Sequence, residues 1–208
     1  MIPLESLAVF FTASLLLALA PGPDNIFVLT QSALRGAFAG FVITLGLCTG
    51  LLVHTSLVAF GVAAIFKTSA LAFTILKYVG AGYLLYMAWK AFRSSPADLD
   101  ADVRDGRSLR LLYRRGIIMN ITNPKVSIFF LAFLPQFADP SRGAIIWQIS
   151  LLGLVFIFAA ILVFGMVCIL AGAIGEQLRR SPRTQNIINR VAGLVLVGLA
   201  LKLATSQR

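Results

Sequence analysis

From residue 36 to 66, and again from 143 to 175, the chain carries no Asp, Glu, Lys or Arg, and uncharged runs of 31 and 33 residues constrain the fold more than any other feature. A helix crosses the roughly 30 Å of bilayer hydrocarbon in about 20 residues. Backbone polar groups in that layer must be satisfied within the segment or by closed pairing, so such runs read as membrane-spanning helices. Composition agrees: 59% of the 208 residues are hydrophobic and 12% charged, against about 25% charged in a soluble domain. The net charge of +10 does not point to nucleic acid, because a nucleic-acid surface clusters Lys and Arg on exposed faces rather than parting them with apolar runs.

Six apolar segments can be traced: about 4–34 with a break at 21–25, 37–66, 70–91, 116–137 with a break at 120–125, 145–175 and 187–204. The fold class predicted is an all-α membrane protein with six transmembrane helices, a single polytopic transmembrane domain over 1–208. The one sizeable polar stretch, Arg93 to Arg115, mixes Asp98, Asp100, Asp102 and Asp105 with Arg104, Arg107 and Arg110 and reads as a flexible loop. The run Leu4 to Ala20 lacks a basic leader and a small-residue cleavage site, so it is expected to remain as the first span. Alternating six spans puts 12 Lys and Arg on the face that holds the polar loop and 4, namely Lys67, Arg142, Lys202 and Arg208, on the other. By the positive-inside rule the first face is cytoplasmic, the loop 93–115 with it, and both termini are periplasmic. A five-span reading, in which the first segment dips in and returns, moves only the N-terminus.

Pro23-Asp24 in the first segment matches Pro124-Lys125 in the fourth at an offset of 101. Val79-Gly80-Ala81 with Leu84, Ala88 and Lys90 matches Val191-Ala192-Gly193 with Leu196, Ala200 and Lys202 at an offset of 112. These matches make a weak internal repeat, with halves of about 1–95 and 110–208. Three spans per half is an odd number, so the second copy must lie upside down: two inverted three-helix repeats with broken first and fourth helices, an architecture of many secondary transporters.

The breaks hold the chemistry. Pro21 and Pro23 each remove a backbone donor and clash with a preceding carbonyl, while Gly22 permits angles other residues avoid. A helix broken at membrane depth is tolerated mainly where it lines a polar cavity. Asp24 and Asn25 follow the break, and Asp24 is the only one of the eight acidic residues inside a membrane segment; a plain proline kink with Asp24 at an interfacial end is the alternative. In the second half, Asn120-Ile121-Thr122-Asn123-Pro124-Lys125 offers Asn123 as the cap of a helix starting at Pro124. Lys125 then lies among apolar residues, where a charge costs at least about 2.5–3.5 kcal/mol on insertion scales. Either a cavity reaches it or it snorkels to the cytoplasmic headgroups. Pro21, Gly22, Pro23, Asp24, Asn25, Asn120, Asn123, Pro124 and Lys125 therefore form the candidate substrate or ion site. Helix ends there suit a zwitterion, with Lys125 for a carboxylate and Asp24 for an ammonium, or with the two paired to each other.

Three sets of residues, in order and at matching spacing over nearly the whole chain, resemble the LysE/RhtB family of amino acid exporters. They are Pro21-Gly22-Pro23-Asp24-Asn25; Gly80-Ala81-Gly82-Tyr83-Leu84-Leu85-Tyr86 ending in Trp89-Lys90; and Asn120-Ile121-Thr122-Asn123-Pro124-Lys125 with Phe133-Leu134-Pro135-Gln136-Phe137. The resemblance implies a bacterial inner-membrane translocator of amino acids or their derivatives, driven by the membrane potential or proton gradient. It implies functional roles for the two proline elements and does not report the substrate.

Other features carry less. Cys48 and Cys168 lie in apolar runs and suit buried hydrophobes, although a membrane thiol-disulfide electron conduit is a second class to weigh. A metal ion exporter would show a cluster of His, Cys or carboxylates, and one histidine, His54, argues against it. His54 is expected to pack or hydrogen-bond within the helices, and Lys77 to snorkel. Gly36/Gly40 and Gly46/Gly50 have close-packing spacing that serves either internal contact, the expected use, or a homodimer. No P-loop is present, so the energy is expected to come from a gradient of protons or another ion, with Asp24 as a candidate proton carrier, from the membrane potential or from a partner; no enzyme activity and no cofactor are expected.

Overall fold

The structure, a computed structural model, describes residues 2–68, 70–93 and 108–205, with the side chains of 62–68, 70, 72, 73, 76, 172–180 and 182 left out. Most of the expected Arg93–Arg115 loop and Arg208 lie outside the described residues. The elements are α1 (Leu4–Leu19), α2 (Pro23–Arg35), α3 (Ala37–Thr68), α4 (Ala70–Arg93), α5 (Leu109–Ile121), α6 (Pro124–Ile128), α7 (Ile145–Arg180) and α8 (Pro182–Thr205). A π-helical turn, Phe129–Phe133, and a 3-10 turn, Leu134–Phe137, extend α6. No strand occurs among the described residues.

Three stretches, Ala37–Gly61, Ile145–Ala171 and Arg183–Thr205, are long and apolar enough to cross a bilayer unbroken. The α1–α2 pair and the α5–α6 pair, extended to Phe137, each pass as one span, bent by 62° and 48°. At the place of the third expected segment, α4 has 24 residues, about 36 Å of helix. Each bent pair fits either a broken span or a re-entrant loop. Phe38, Leu57, Phe60, Trp147, Met166, Ile169 and Leu194 each expose more than half of their surface, as lipid-facing side chains do.

The fourth span starts at Leu109, earlier than the expected 116. Its first two turns are amphipathic: Leu112 is buried, while Arg115 stacks its guanidinium 4.4 Å from the Phe27 ring centroid.

Close contacts fix the helix directions. Gly46 and Gly50 of α3 meet Tyr113, Gly116 and Asn120 of α5 in ascending order, so these two run parallel. Thr55 meets Gly153 and Gly40 meets Cys168, so α3 and α7 run antiparallel; so do α4 and α8, where Gly80 meets Leu203 and Phe92 meets Gly193. A Cβ on Gly46 would lie 2.2 Å from Tyr113 O and one on Gly116 2.5 Å from Ile43 O. Glycine at both places lets two backbones touch, the close approach by which membrane helices gain packing. Gly40, Gly46 and Gly50 are thus used inside the fold. Gly36 serves differently, at φ 85 between α2 and α3.

Candidate substrate site at the two helix breaks

An α-helix leaves its last four carbonyls without intrahelical donors, and a break at membrane depth must satisfy them otherwise. At the end of α1, Leu16 O accepts from Ala20 N at 3.0 Å and Ala18 O accepts from Asn25 Nδ2 at 2.7 Å. Lys125, from the other break, adds two more bonds: its Nζ donates to Ala20 O at 2.8 Å and to Leu17 O at 3.3 Å. The ammonium sits at the negative end of the α1 dipole, where a cation is favoured. Lys125 is 4% exposed. The snorkelling alternative fails on that burial and on those two bonds.

Gly22 corrects an expectation. Its φ of −170 is ordinary extended backbone, so the break does not need glycine for its angles. Glycine is needed for space: a Cβ there would lie 3.1 Å from Lys125 Nζ and 3.6 Å from its Cε.

The second break forms as its residues dictate. Asn123, held extended before a proline (φ −76, ψ 107), accepts from Lys125 N at 3.0 Å and so caps α6, with Pro124 in the first turn. Twelve residues beyond this cap, Pro135 lacks the N–H that would meet Leu131 O. The helix widens to the π turn Phe129–Phe133 and then tightens to 3-10, while Gln136 Nε2 takes up Ala132 O at 3.2 Å.

Asp24, Asn120, Asn123 and Lys125 are buried; Pro21, Gly22 and Asn25 are half-buried; Pro23 and Pro124 are exposed and act through the backbone. Asp24 faces the side chains of Asn123, Lys125, Asn120 and His54. The two opposite charges attract, yet the hydrogen bonds of the ammonium go to carbonyl oxygens and Asp24 Oδ1 has no partner. Asn25 Oδ1, Asn120 Oδ1 and Asn123 Nδ2 are likewise buried without partners. Groups of that kind cost about 1–3 kcal/mol each when left unmet, and four of them gather at the two breaks, where the Asn120 and Asn123 amides also face Asp24. Along α2, Gln31 Oε1 and Ser32 Oγ continue the row of unpartnered polar atoms away from the break.

His54 and Gly50 belong here, although sequence reasoning did not include them. His54 Nε2 donates to Asn120 O at 3.1 Å, which requires the Nε2–H tautomer. A Cβ on Gly50 would lie 2.7 Å from Asn120 Cβ. The signal was available: Gly46, Gly50 and His54 recur every four residues, a single stripe of α3.

On the other side of the site stands a wall of rings. Phe10, Phe129, Phe130 and Phe133 are at most 1% exposed. Phe129 stacks on Phe133 at 4.8 Å, and Phe10 packs at 5.1 Å on Phe137 and 6.0 Å on Phe129. Beyond the wall lies a cavity of about 500 Å³ lined by Glu5, Gln136, Phe137, Asp139, Arg142 and Lys202. Ser6 on its rim is about 20 Å along α1 from Ala20. The Ser141 hydroxyl donates to Asp139 at 2.7 Å and holds that carboxyl below the usual carboxylate range, and Arg142 bridges it at 3.1 Å.

The description LysE type translocator matches residues 15–207, which takes in both breaks. The chain belongs to the LysE-type translocator family. This translocator is 32% identical over 200 residues to an uncharacterized membrane protein of Vibrio cholerae serotype O1, covering 95% of this chain and 96% of that one. It is 32% identical over 198 residues to the homoserine/homoserine lactone efflux protein of Salmonella typhimurium, covering 95% of each. No solved structure matches it. The chain is a multi-pass membrane protein, and the Salmonella relative is described as an efflux protein. Among the described residues no three His, Cys, Asp or Glu side chains come together as a metal site would require, and Cys48 and Cys168 are buried free thiols, with Cys168 Sγ 3.9 Å from the Thr44 hydroxyl.

Proposed function

We propose that the protein is a secondary exporter of amino acids or amino acid derivatives across the bacterial inner membrane, taking its substrate between the two helix breaks. The observation that carries this reading is the reach of Lys125 across the breaks to Leu17 O and Ala20 O, beside four unpartnered polar atoms. Two elements 101 residues apart in sequence complete one another, as broken helices do at a transporter's midplane site. Homoserine and homoserine lactone, named for the Salmonella relative, head the panel of substrates to test.

Packing supports an inverted repeat. Exchanging the halves maps the α3–α5 contact onto the contact of α7 with α1 and α2, and leaves α3–α7 and α4–α8 as self-paired contacts. With the polar loop cytoplasmic, six spans leave both termini periplasmic. Substrate then enters along the α2 row, binds at the breaks, and leaves past the phenylalanine wall into the cavity near Glu5 and Lys202. Energy comes from an ion gradient, with Asp24 as the candidate proton carrier; a pH profile of transport in liposomes that shifts in Asp24→Glu, which keeps a carboxyl group, supports that role, and an unchanged profile refutes it.

The reading is tested by overproducing the protein in cells challenged with toxic amino acids and analogues, followed by efflux of each hit. Two further outcomes are expected. His54→Leu lowers efflux per inserted protein about tenfold, since loss of a buried hydrogen bond costs roughly 1–3 kcal/mol and about 1.4 kcal/mol is tenfold. Cys48→Ser with Cys168→Ser keeps full efflux; loss of transport in that double variant would revive a thiol-based mechanism.

A further inference from the structure

We infer that the open end of α1 is a subsite for a primary ammonium group, and that Lys125 is its built-in occupant, displaced toward Asp24 when the substrate's own ammonium arrives. The inference deepens the exporter reading above and rests on it.

An ammonium brings three N–H donors and no acceptor. Lys125 Nζ directs two of them to Ala20 O and Leu17 O. The acceptors around it exceed what one ammonium can use. Asn25 gives its amide N–H to Ala18 O and leaves its own Oδ1 buried and unpartnered; that oxygen lies 3.8 Å from the point where a Gly22 Cβ would stand, itself 3.1 Å from Lys125 Nζ. Asp24 Oδ1, on the adjacent residue, is a second unpartnered acceptor, and its carboxylate attracts Lys125. Leu17 O, Ala20 O, Asn25 Oδ1 and Asp24 Oδ1 therefore make a donor deficit that a second ammonium would fill. With that ammonium on the α1 carbonyls and Asn25 Oδ1, Lys125 is released to the Asp24 carboxylate, and each charge keeps an opposite charge or an oxygen partner throughout.

The same geometry assigns the other end of the ligand. Asn123 Nδ2 is a buried donor that makes no full hydrogen bond and faces Asp24; once Lys125 takes the Asp24 carboxylate this amide is open to a ligand, and a neutral amide N–H binds an acyl oxygen whether the group is a carboxylate, an ester, an amide or a lactone. The site therefore reads a primary ammonium next to an acyl oxygen. Carboxylic acids that lack the amine are excluded.

Ethylammonium chloride is the probe, added to purified Lys125→Ala protein while thermal unfolding is followed. Ethylammonium should raise the midpoint of Lys125→Ala by about 3 °C or more at concentrations well above its dissociation constant, and should raise that of wild type by less, because there it must first displace Lys125. Tetramethylammonium, a cation without N–H donors, should move neither. An equal shift in wild type and variant, or an equal shift with tetramethylammonium, overturns the inference, as does no shift. Should Lys125→Ala fail to accumulate, Lys125→Gln, which keeps most of the side-chain volume, is read in the same way. In wild-type protein, ethylammonium should inhibit efflux at least severalfold while propionate does not; inhibition by propionate alone contradicts the subsite. The unfolding assay needs no transport, so absence of efflux with a positive shift would sink the exporter reading and spare the subsite, and efflux without a shift would do the reverse.

Discussion

Asp24→Asn and Lys125→Ala are each expected to reduce efflux to the background of cells lacking the protein, with both variants still inserted in the membrane. Asp24→Asn is nearly isosteric and keeps hydrogen-bonding capacity, so the change is the loss of one negative charge beside Lys125, Asn120 and Asn123. A buried cation left without its counter-charge costs about 3–5 kcal/mol, which corresponds to a loss of at least about a hundredfold. Lys125→Ala removes the only donor to Leu17 O and Ala20 O among the described contacts. Two unmet carbonyls at roughly 1–3 kcal/mol each also loosen the join between the breaks, so a lower unfolding temperature should accompany the lost transport. Efflux of a labelled substrate, normalised to the amount of membrane-inserted protein, reads both effects.

The second large effect falls on stability. Gly46→Ala and Gly116→Ala place a Cβ 2.2 Å from Tyr113 O and 2.5 Å from Ile43 O, positions that only a shift of backbone can relieve. Overpacking a tight contact costs about 1–3 kcal/mol, or a fall of about 2–12 °C in unfolding midpoint for a chain of this size. Gly82→Ala and Gly198→Ala are the matched controls, with nothing within 4 Å of the added carbon, and should show no fall. Because α3 carries His54 and Gly50 against Asn120, parting α3 from α5 should also weaken efflux among the molecules that remain folded.

Much of this arrangement could be read in the chain before any coordinates. Proline forbids a continuous helix, and hydrocarbon forbids unmet backbone, so Pro21, Pro23 and Pro124 announced two breaks that had to be lined by polar groups. The capping role of Asn123 followed from its place before Pro124. What stayed hidden was partnership across the fold. Lys125 was legible as a buried cation facing either a carboxylate or the headgroups, but nothing local says that its hydrogen bonds go to carbonyls at the end of α1. Gly22 looked like a residue chosen for its angles, whereas its missing Cβ makes room for Lys125 Nζ. Phe10 carried no signal of its own and Phe137 entered only through the family resemblance, because a wall of rings exists only once α1 and the π turn are side by side.

The central claim, that substrate sits between the two breaks, is tested most directly by protection. In a Cys48→Ser/Cys168→Ser background, Asn25→Cys and Asn123→Cys would be reacted with a membrane-permeant maleimide with and without a substrate that the protein exports, beside the lipid-facing Leu45→Cys. The account predicts that substrate slows modification at both break positions severalfold and leaves Leu45→Cys unaffected. Unchanged reaction rates at both breaks, in a protein that still transports, would contradict it.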